Sequence, residues 1–498
     1  MSGKKSIFYS AVLLTGVNLL LRMVGTSFQV YLSGTIGAEG VGLLQLVLSV
    51  GSMAMVAGMA GIRTATMYLT AEEIGKRRPG NLMRVLSSCA VYSLTASTAV
   101  GTIVYFGAPF IARHWIGNTN IVDALRLLAA FLPVNCLCGV MVGYFTGSNR
   151  ITTLAAVEVV EQLFSMTCTV LLLQFWARHD AERSCLAVVT GSGMGACLTL
   201  ISLIILRLRE KQLPIQNTPV GRRLLETAVP LAIADDLRTG ISTVENLIVP
   251  KRLALYAGTQ SPLAAFGTVC GMVFPILTFP MALLFGLTEL LIPELARCNA
   301  AGSKRRIDYL VKKSLRIALL FGTVCGIVLY LTAEPLCQKL YGSKEAGKYL
   351  KWFAPLSVML YCDAVTDAMI KGLGDQKASV RYNILTNAMD VTFLYILLPR
   401  YGIFGYFLSF TVTHVINFIL SIRRLLKITG ISVSIFAPIL TVLSAILTVM
   451  LCQLITDPLL QAICGITVLG SLLVLCKVLQ PADFLWLKSL IQKKKQTC

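Results

Sequence analysis

Apolar stretches of about twenty residues follow one another from Ile7 to Leu479, separated by short polar breaks. A helix crossing a hydrocarbon core about 30 Å thick needs about 20 mostly apolar residues. The chain offers fourteen such segments: 7–33, 41–67, 85–108, 121–146, 152–176, 184–206, 224–250, 263–292, 314–333, 352–370, 382–398, 403–426, 433–455 and 459–479. No connection is long enough for a soluble domain. The first run is too long for a signal-peptide core and has no cleavage signature after it, so it reads as a spanning helix. The pattern predicts an all-α polytopic membrane protein with about 14 transmembrane helices.

The pattern also repeats. Gly143-Tyr-Phe-Thr-Gly-Ser-Asn-Arg150 closes the fourth segment, and Ile370-Lys-Gly-Leu-Gly-Asp-Gln-Lys377 closes the tenth, 227 residues later. The basic connection 72–84 after the second segment is similar to 294–313 after the eighth. Two six-helix parallel-repeat lobes plus two C-terminal helices would produce this, and parallel repeats are a transporter architecture. The expected organisation is an N-terminal lobe at 1–209 (helices 1–6) and a C-terminal lobe with its linker at 210–428 (helices 7–12). Helices 13 and 14 fall at 429–480, and a basic tail at 481–498.

Lysine and arginine alternate in density from one connection to the next. With the N-terminus inside, thirty lie on the cytoplasmic side, ten outside and four within the segments. Such a threefold bias orients membrane proteins, so both termini are expected in the cytoplasm of a multi-pass cell-membrane protein.

Composition agrees with this picture. Hydrophobic residues make up 56% and charged residues 14%, against roughly 45–50% and ~25% in soluble domains, and mean hydropathy is +0.75. These values exclude a cytosolic enzyme, a disordered chain or a nucleic-acid-binding domain. The net charge of +20 sits between apolar runs, where phospholipid head groups and topology account for it better than nucleic acid. Most of the fifteen cysteines lie inside apolar runs, where Cys acts as a small hydrophobe, and His114, His179 and His414 are scattered. No metal site or cofactor is expected.

Five segments carry a family resemblance. Ala124-Leu-Arg-Leu-Leu-Ala-Ala-Phe-Leu-Pro133, Gly143-Tyr-Phe-Thr-Gly147 and Val157-Glu-Val-Val-Glu-Gln162 follow in the order seen in the fourth and fifth helices of the stage V sporulation protein B family. Asn246-Leu-Ile-Val-Pro-Lys-Arg-Leu253 and Gly271-Met-Val-Phe-Pro-Ile-Leu-Thr-Phe-Pro280 resemble its seventh and eighth helices. That family belongs to the polysaccharide flippases of the multidrug/oligosaccharidyl-lipid/polysaccharide exporter superfamily. The resemblance spans nearly the whole chain and implies fourteen helices and transport of a lipid-linked saccharide.

Ionisable residues inside spans are costly and mark functional sites or buried pairs. Arg126 follows Asp123 by three residues and reads as a local ion pair. Arg22 and Arg63 have no acid within a turn and read either as site residues or as snorkelling or tertiary-paired cations. Asp235, Asp236, Arg238 and Glu245 crowd the seventh segment, which Lys251 and Arg252 close. Asp235 and Arg238 can pair locally, while Arg238 and Glu245 share a face two turns apart. Glu158 with Glu161, and Asp363 with Asp367, place like charges close enough to hold a proton or cation, while Asp367 can instead pair with Lys371 one turn on. They are the ion-coupling candidates, for Na+, H+ or the membrane potential. Pro133, Pro230, Pro275, Pro280, Pro355 and the run Gly191-Ser-Gly-Met-Gly195 are expected to break or soften their helices.

The leading expectation is a flippase for polyprenyl-diphosphate-linked saccharides serving peptidoglycan or polysaccharide synthesis. Arg22, Arg63, Arg238 and Arg252 would hold the diphosphate, and Glu245 would orient an arginine or the sugar. The partners would be that substrate and membrane lipids, acting on a monomer. A multidrug or organic-cation antiporter is the alternative. A membrane-embedded polyprenyl-phosphate transferase is a third reading, with Asp235-Asp236 as its only adjacent intramembrane acids.

Overall fold

Every regular element among the described residues is a helix. The computed structural model describes residues 2–76, 81–177, 180–209, 221–258, 261–432, 436–453, 455 and 457–476. The basic tail at 481–498 and the linker stretch 210–220 lie outside the described residues.

The helices are α1 (Ser2–Met59), α2 (Ile62–Gly75), α3 (Leu82–Phe110), α4 (Val122–Gly147), α5 (Ile151–Leu172) and α6 (Ala181–Leu208). There follow α7 (Gly221–Leu253), α8 (Pro262–Thr268), α9 (Phe274–Thr278), α10 (Met281–Ala300), α11 (Lys304–Tyr341) and α12 (Lys344–Phe353). The last are α13 (Ser357–Gly372), α14 (Gln376–Tyr401), α15 (Ile403–Thr429), α16 (Phe436–Cys452) and α17 (Pro458–Leu475). Among the described residues nine helical stretches are long and apolar enough to cross a membrane, and Pro262–Thr278 and Phe436–Cys452 are shorter apolar helices. The protein is an all-α polytopic membrane protein. Phe106, Phe175, Leu459 and Leu475 are about three-quarters exposed, as a hydrocarbon surrounding permits.

Several predicted spans are interrupted. The segment 41–67 is two helices, because Ala60 (φ 45) and Gly61 (φ 71) turn left-handed between α1 and α2. Gly37 (φ 71, ψ 174) kinks α1 between its two passes, at a conformation only glycine adopts cheaply. The segment 263–292 divides into α8, α9 and α10 around Pro275 and Pro280, and Pro355 separates α12 from α13. Three expected breaks are absent: α4 runs through Pro133, α7 through Pro230 and α6 through Gly191–Gly195. These glycines instead let helices touch. A Cβ on Gly191 would stand 2.1 Å from the Thr169 hydroxyl of α5.

The chain forms two compact units, Met1–Gly271 with Asn387–Tyr406, and Met272–Thr386 with Phe407–Cys498. The first has a core of Ile62, Leu69, Val140, Tyr144, Phe145, Leu203 and Leu224, contributed by α2, α4, α6 and α7. Here α4 lies directly on α2: a Cβ on Gly143 would meet the Arg63 carbonyl at 2.4 Å, and one on Gly147 the Met67 carbonyl at 2.5 Å. Small residues four apart allow such backbone contact inside a membrane. The second unit is centred on Leu295, Val311, Val365, Met369 and Leu425. Its α16 and α17 pack against Ile327 and Leu331 of α11.

Candidate functional site

The candidate residues divide between the units. In the first, α1 carries Arg22, half-buried, beside α5, whose Gln162 Nε2 donates to the Leu21 carbonyl at 3.0 Å. Arg63, exposed on α2, acts electrostatically on Glu158 of α5, as does Glu161 one turn further on. Glu161 lies instead against Gly195 of α6, whose Cβ would stand 3.5 Å from its Cγ.

Helix α7 holds its charges at separate levels. Asp235, Asp236 and Arg238 are all exposed, and among the described residues no ion pair joins Asp235 to Arg238. Arg252 follows Arg238 by fourteen residues of one helix, about 21 Å at 1.5 Å per residue. There its guanidinium stacks 3.3 Å from the centroid of the Tyr395 ring, and its Nε donates to the Tyr395 carbonyl at 3.2 Å. A single diphosphate is far smaller than that interval, so the two arginines form separate stations along α7. Arg126 pairs with Asp123 at 4.0 Å.

Glu245 meets a residue that the sequence reading passed over. Its carboxyl is hydrogen-bonded to that of Asp390 on α14, which is buried, and the hydroxyl of Tyr406 is hydrogen-bonded to Cys270 beside them. The signal was present, since Asp390 is a lone acid within the apolar segment 382–398. Its partner stands 145 residues earlier, beyond the reach of helical spacing.

A clasp joins α2 to the start of α7. Arg223 donates to Glu72 and, at 2.8 Å, to Glu73. Asn81 Nδ2 adds a hydrogen bond of 3.0 Å to Glu73. A cation in the first turn of a helix opposes the macrodipole, so the two carboxylates offset an otherwise unfavourable placement. Hydrogen bonds donated to Glu73 and Glu72 hold the guanidinium above its ordinary pKa. Charge-assisted hydrogen bonds contribute roughly 1.5–3 kcal/mol each. Arg223→Ala, which strands the buried Glu73, is therefore expected to cost about 2 kcal/mol and to lower the melting temperature in detergent. Arg223→Lys should recover only part, and an unchanged melting temperature in the alanine variant would refute the clasp.

The second unit holds Asp363 and Asp367 on α13. Asp363 Oδ2 accepts from Asn417 Nδ2 of α15 at 2.9 Å, while its buried Oδ1 has no hydrogen-bond partner. Asp367 pairs with Lys371 at 2.5 Å and accepts from Ser379 of α14. The two acids therefore differ: Asp367 is neutralised by its neighbour one turn on, and Asp363 is held by two neutral partners, Asn417 and Ser421 of α15.

A chain of apolar helices that carries ionisable groups within its spans is, by fold, a polytopic α-helical membrane protein. Comparison with known proteins makes the assignment specific. Residues 7–243 match the family described as "Polysaccharide biosynthesis protein", and residues 246–396 match MatE. Stage V sporulation protein B of Bacillus subtilis (strain 168) is 22% identical over 449 residues, covering 87% of this chain and 86% of that protein. Lipid II flippase MurJ of the same organism is 21% identical over 399 residues, 72% of this chain and 71% of that protein. A solved structure of lipid II flippase MurJ in an inward closed conformation has a TM-score of 0.67 at 14% identity, covering 93% of this chain and 98% of that one. The chain is thus similar over most of its length to stage V sporulation protein B and to MurJ, and it shares the fold of the MurJ structure. These relatives are transporters rather than enzymes.

Proposed function

We propose that this protein carries a polyprenyl-diphosphate-linked saccharide, a peptidoglycan or polysaccharide precursor, from the cytoplasmic to the outer leaflet by alternating access. The observation that carries the reading is the placement of Arg22, Arg63 and Arg238 on transmembrane helices of a chain homologous to a lipid II flippase. A lipid diphosphate bears about two negative charges, and guanidinium forks suit its oxygens while staying charged at any working pH. Arg22, Arg63 and Arg238 form the head-group station in this reading. Arg252, held on Tyr395, serves as a second station about 21 Å further along α7. Glu245 bears on the sugar or on an arginine through its link to Asp390.

Coupling is assigned to Asp363, whose buried Oδ1 suits a monovalent cation or a proton, with Asp367 and Lys371 beside it. Glu158 and Glu161 are the second ion-coupling candidates, facing Arg63 and α6. No cofactor enters the mechanism, and the protein acts as a monomer.

The test is transbilayer movement of a fluorescent polyprenyl-diphosphate saccharide in proteoliposomes, with and without imposed Na+ and proton gradients. Protein-dependent movement supports the proposal. The multidrug antiporter reading draws on the MatE match and on the acidic pairs Glu245–Asp390 and Asp363–Asp367. Transport of organic cations in the same vesicles, without movement of the saccharide lipid, would put it first.

Both termini and the connections 72–84 and 294–313 are assigned to the cytoplasm from the distribution of lysine and arginine. A cysteine at Gly302, in an otherwise cysteine-free chain, is expected to resist an impermeant thiol reagent in intact cells. Labelling there would invert the topology.

A further inference from the structure

We propose that α11, α12 and α16 form a binding site for one anionic glycerophospholipid of the bilayer, separate from the transported substrate. Helix α12 is two-faced. Ala346, Gly347, Tyr349, Leu350 and Phe353 are buried, while Lys344 and Lys348 are exposed and Lys351 is half-buried. It is fixed at the end of α11, where a Cβ on Gly347 would stand 2.7 Å from the Glu334 Cα. Short amphipathic helices with lysines on the polar face lie in the head-group region.

Beside this helix an apolar cavity of about 370 Å³ descends between α11, the start of α13 and α16. Ile327, Tyr330, Pro355, Val358, Ala445 and Val449 line it. Tyr330 joins the cavity to the charged surface, because Lys351 Nζ lies 5.5 Å from the centroid of its ring. Lys348 Nζ lies 5.7 Å from the Trp352 ring. The surface bears Lys339, Lys344, Lys348 and Lys351 against Glu334 and Glu345. Both acids are already engaged, since Glu334 lies 3.5 Å from Lys351 and Glu345 accepts from the Tyr349 hydroxyl at 2.5 Å. A net positive rim above an apolar slot complements a lipid with an anionic head and a hydrocarbon tail.

The size of the slot selects between lipid sources. Its volume accommodates most of one acyl chain, whereas a polyprenyl tail of many branched units is several times larger. The outer wall is α16, whose Ile446 is 53% exposed, so a bilayer lipid can enter sideways. The proposal is independent of which head group the transporter moves.

The experiment compares lipid binding to the full chain in detergent, by native mass spectrometry and by the shift in melting temperature. The probes are phosphatidylglycerol, phosphatidylcholine and a polyprenyl monophosphate. Phosphatidylglycerol should bind and stabilise more than phosphatidylcholine. Lysines near an anionic surface contribute about 1 kcal/mol each, so Lys348→Gln with Lys351→Gln should weaken phosphatidylglycerol binding at least about tenfold. Ala445→Phe, which fills the slot without touching the rim, should remove the preference for long-chain over short-chain phosphatidylglycerol. Equal binding of the two phospholipids would overturn the proposal, as would an unchanged preference in the lysine variant. Preferential binding of the polyprenyl phosphate would overturn it too, by giving the slot to the substrate class.

Discussion

Arg22→Ala and Arg238→Ala should each slow transbilayer movement of a polyprenyl-diphosphate saccharide by roughly 100-fold, while folded protein remains in the membrane. Each substitution removes a charge-assisted fork onto phosphate, and losing two such hydrogen bonds accounts for a barrier increase of about 2.7 kcal/mol. Arg22→Lys and Arg238→Lys should restore part of the rate, because a point charge remains but the planar fork does not. Arg252→Ala should have a smaller effect, since its guanidinium is already committed to Tyr395. The measurement is the flipping rate in proteoliposomes at matched protein density. Wild-type rates in both alanine variants would remove these arginines from the head-group site and favour the antiporter reading.

The second large effect concerns folding. Gly143→Val is expected to prevent recovery of monodisperse protein, and Gly143→Ala to lower the melting temperature clearly. The new Cβ would stand 2.4 Å from the Arg63 carbonyl and 3.0 Å from the Thr66 Cβ. Backbone cannot rotate away as a side chain can, so α4 must move off α2. Overpacking of this kind costs about 1–3 kcal/mol, and β-branching adds to it. Gly240→Ala is the control. Nothing lies within 4 Å of its Cβ position in α7, so better helix propensity should make that change neutral or slightly stabilising. Similar melting temperatures for Gly143→Ala and Gly240→Ala would show that α2 and α4 are less tightly joined.

The contrast between these glycines illustrates what a sequence hides. Gly143 and Gly147 were visible as part of a repeated motif closing a span, but not as the contact of α4 with the backbone of α2. The Gly191–Gly195 run read as a hinge and is a packing surface within an unbroken helix. Pro275, Pro280 and Pro355 were read correctly as breaks, because a missing N–H and a ring clash act locally. Pro133 and Pro230 were read in the same way, yet α4 and α7 pass through them.

The candidate site was legible to a similar degree. Ionisable residues at membrane depth stand out in any apolar run, so Arg22, Arg63, Arg238, Glu245 and Asp363 could be named without coordinates. The Asp123–Arg126 and Asp367–Lys371 pairs followed from helical spacing alone. Which distant groups each faces did not follow. Glu245 with Asp390, Arg223 with Glu72 and Glu73, and Asp363 with Asn417 join residues from 54 to about 150 positions apart.

By itself the sequence determined the class of this protein: a bundle of membrane helices with a short set of ionisable residues in its spans. Those properties are set by one-dimensional quantities. They depend on the length of apolar runs against bilayer thickness and on the free-energy cost of charge in hydrocarbon, and both can be summed along the chain. Only the tertiary structure decided where spans break at Ala60–Gly61 and which glycines carry helix contacts. It also decided that 387–406 belongs with the first unit, that Glu245 meets Asp390, and that a basic interfacial helix sits over an apolar slot. Such features arise when backbone and side chains from remote segments pack within a few ångströms, and no periodicity along one helix encodes its neighbour.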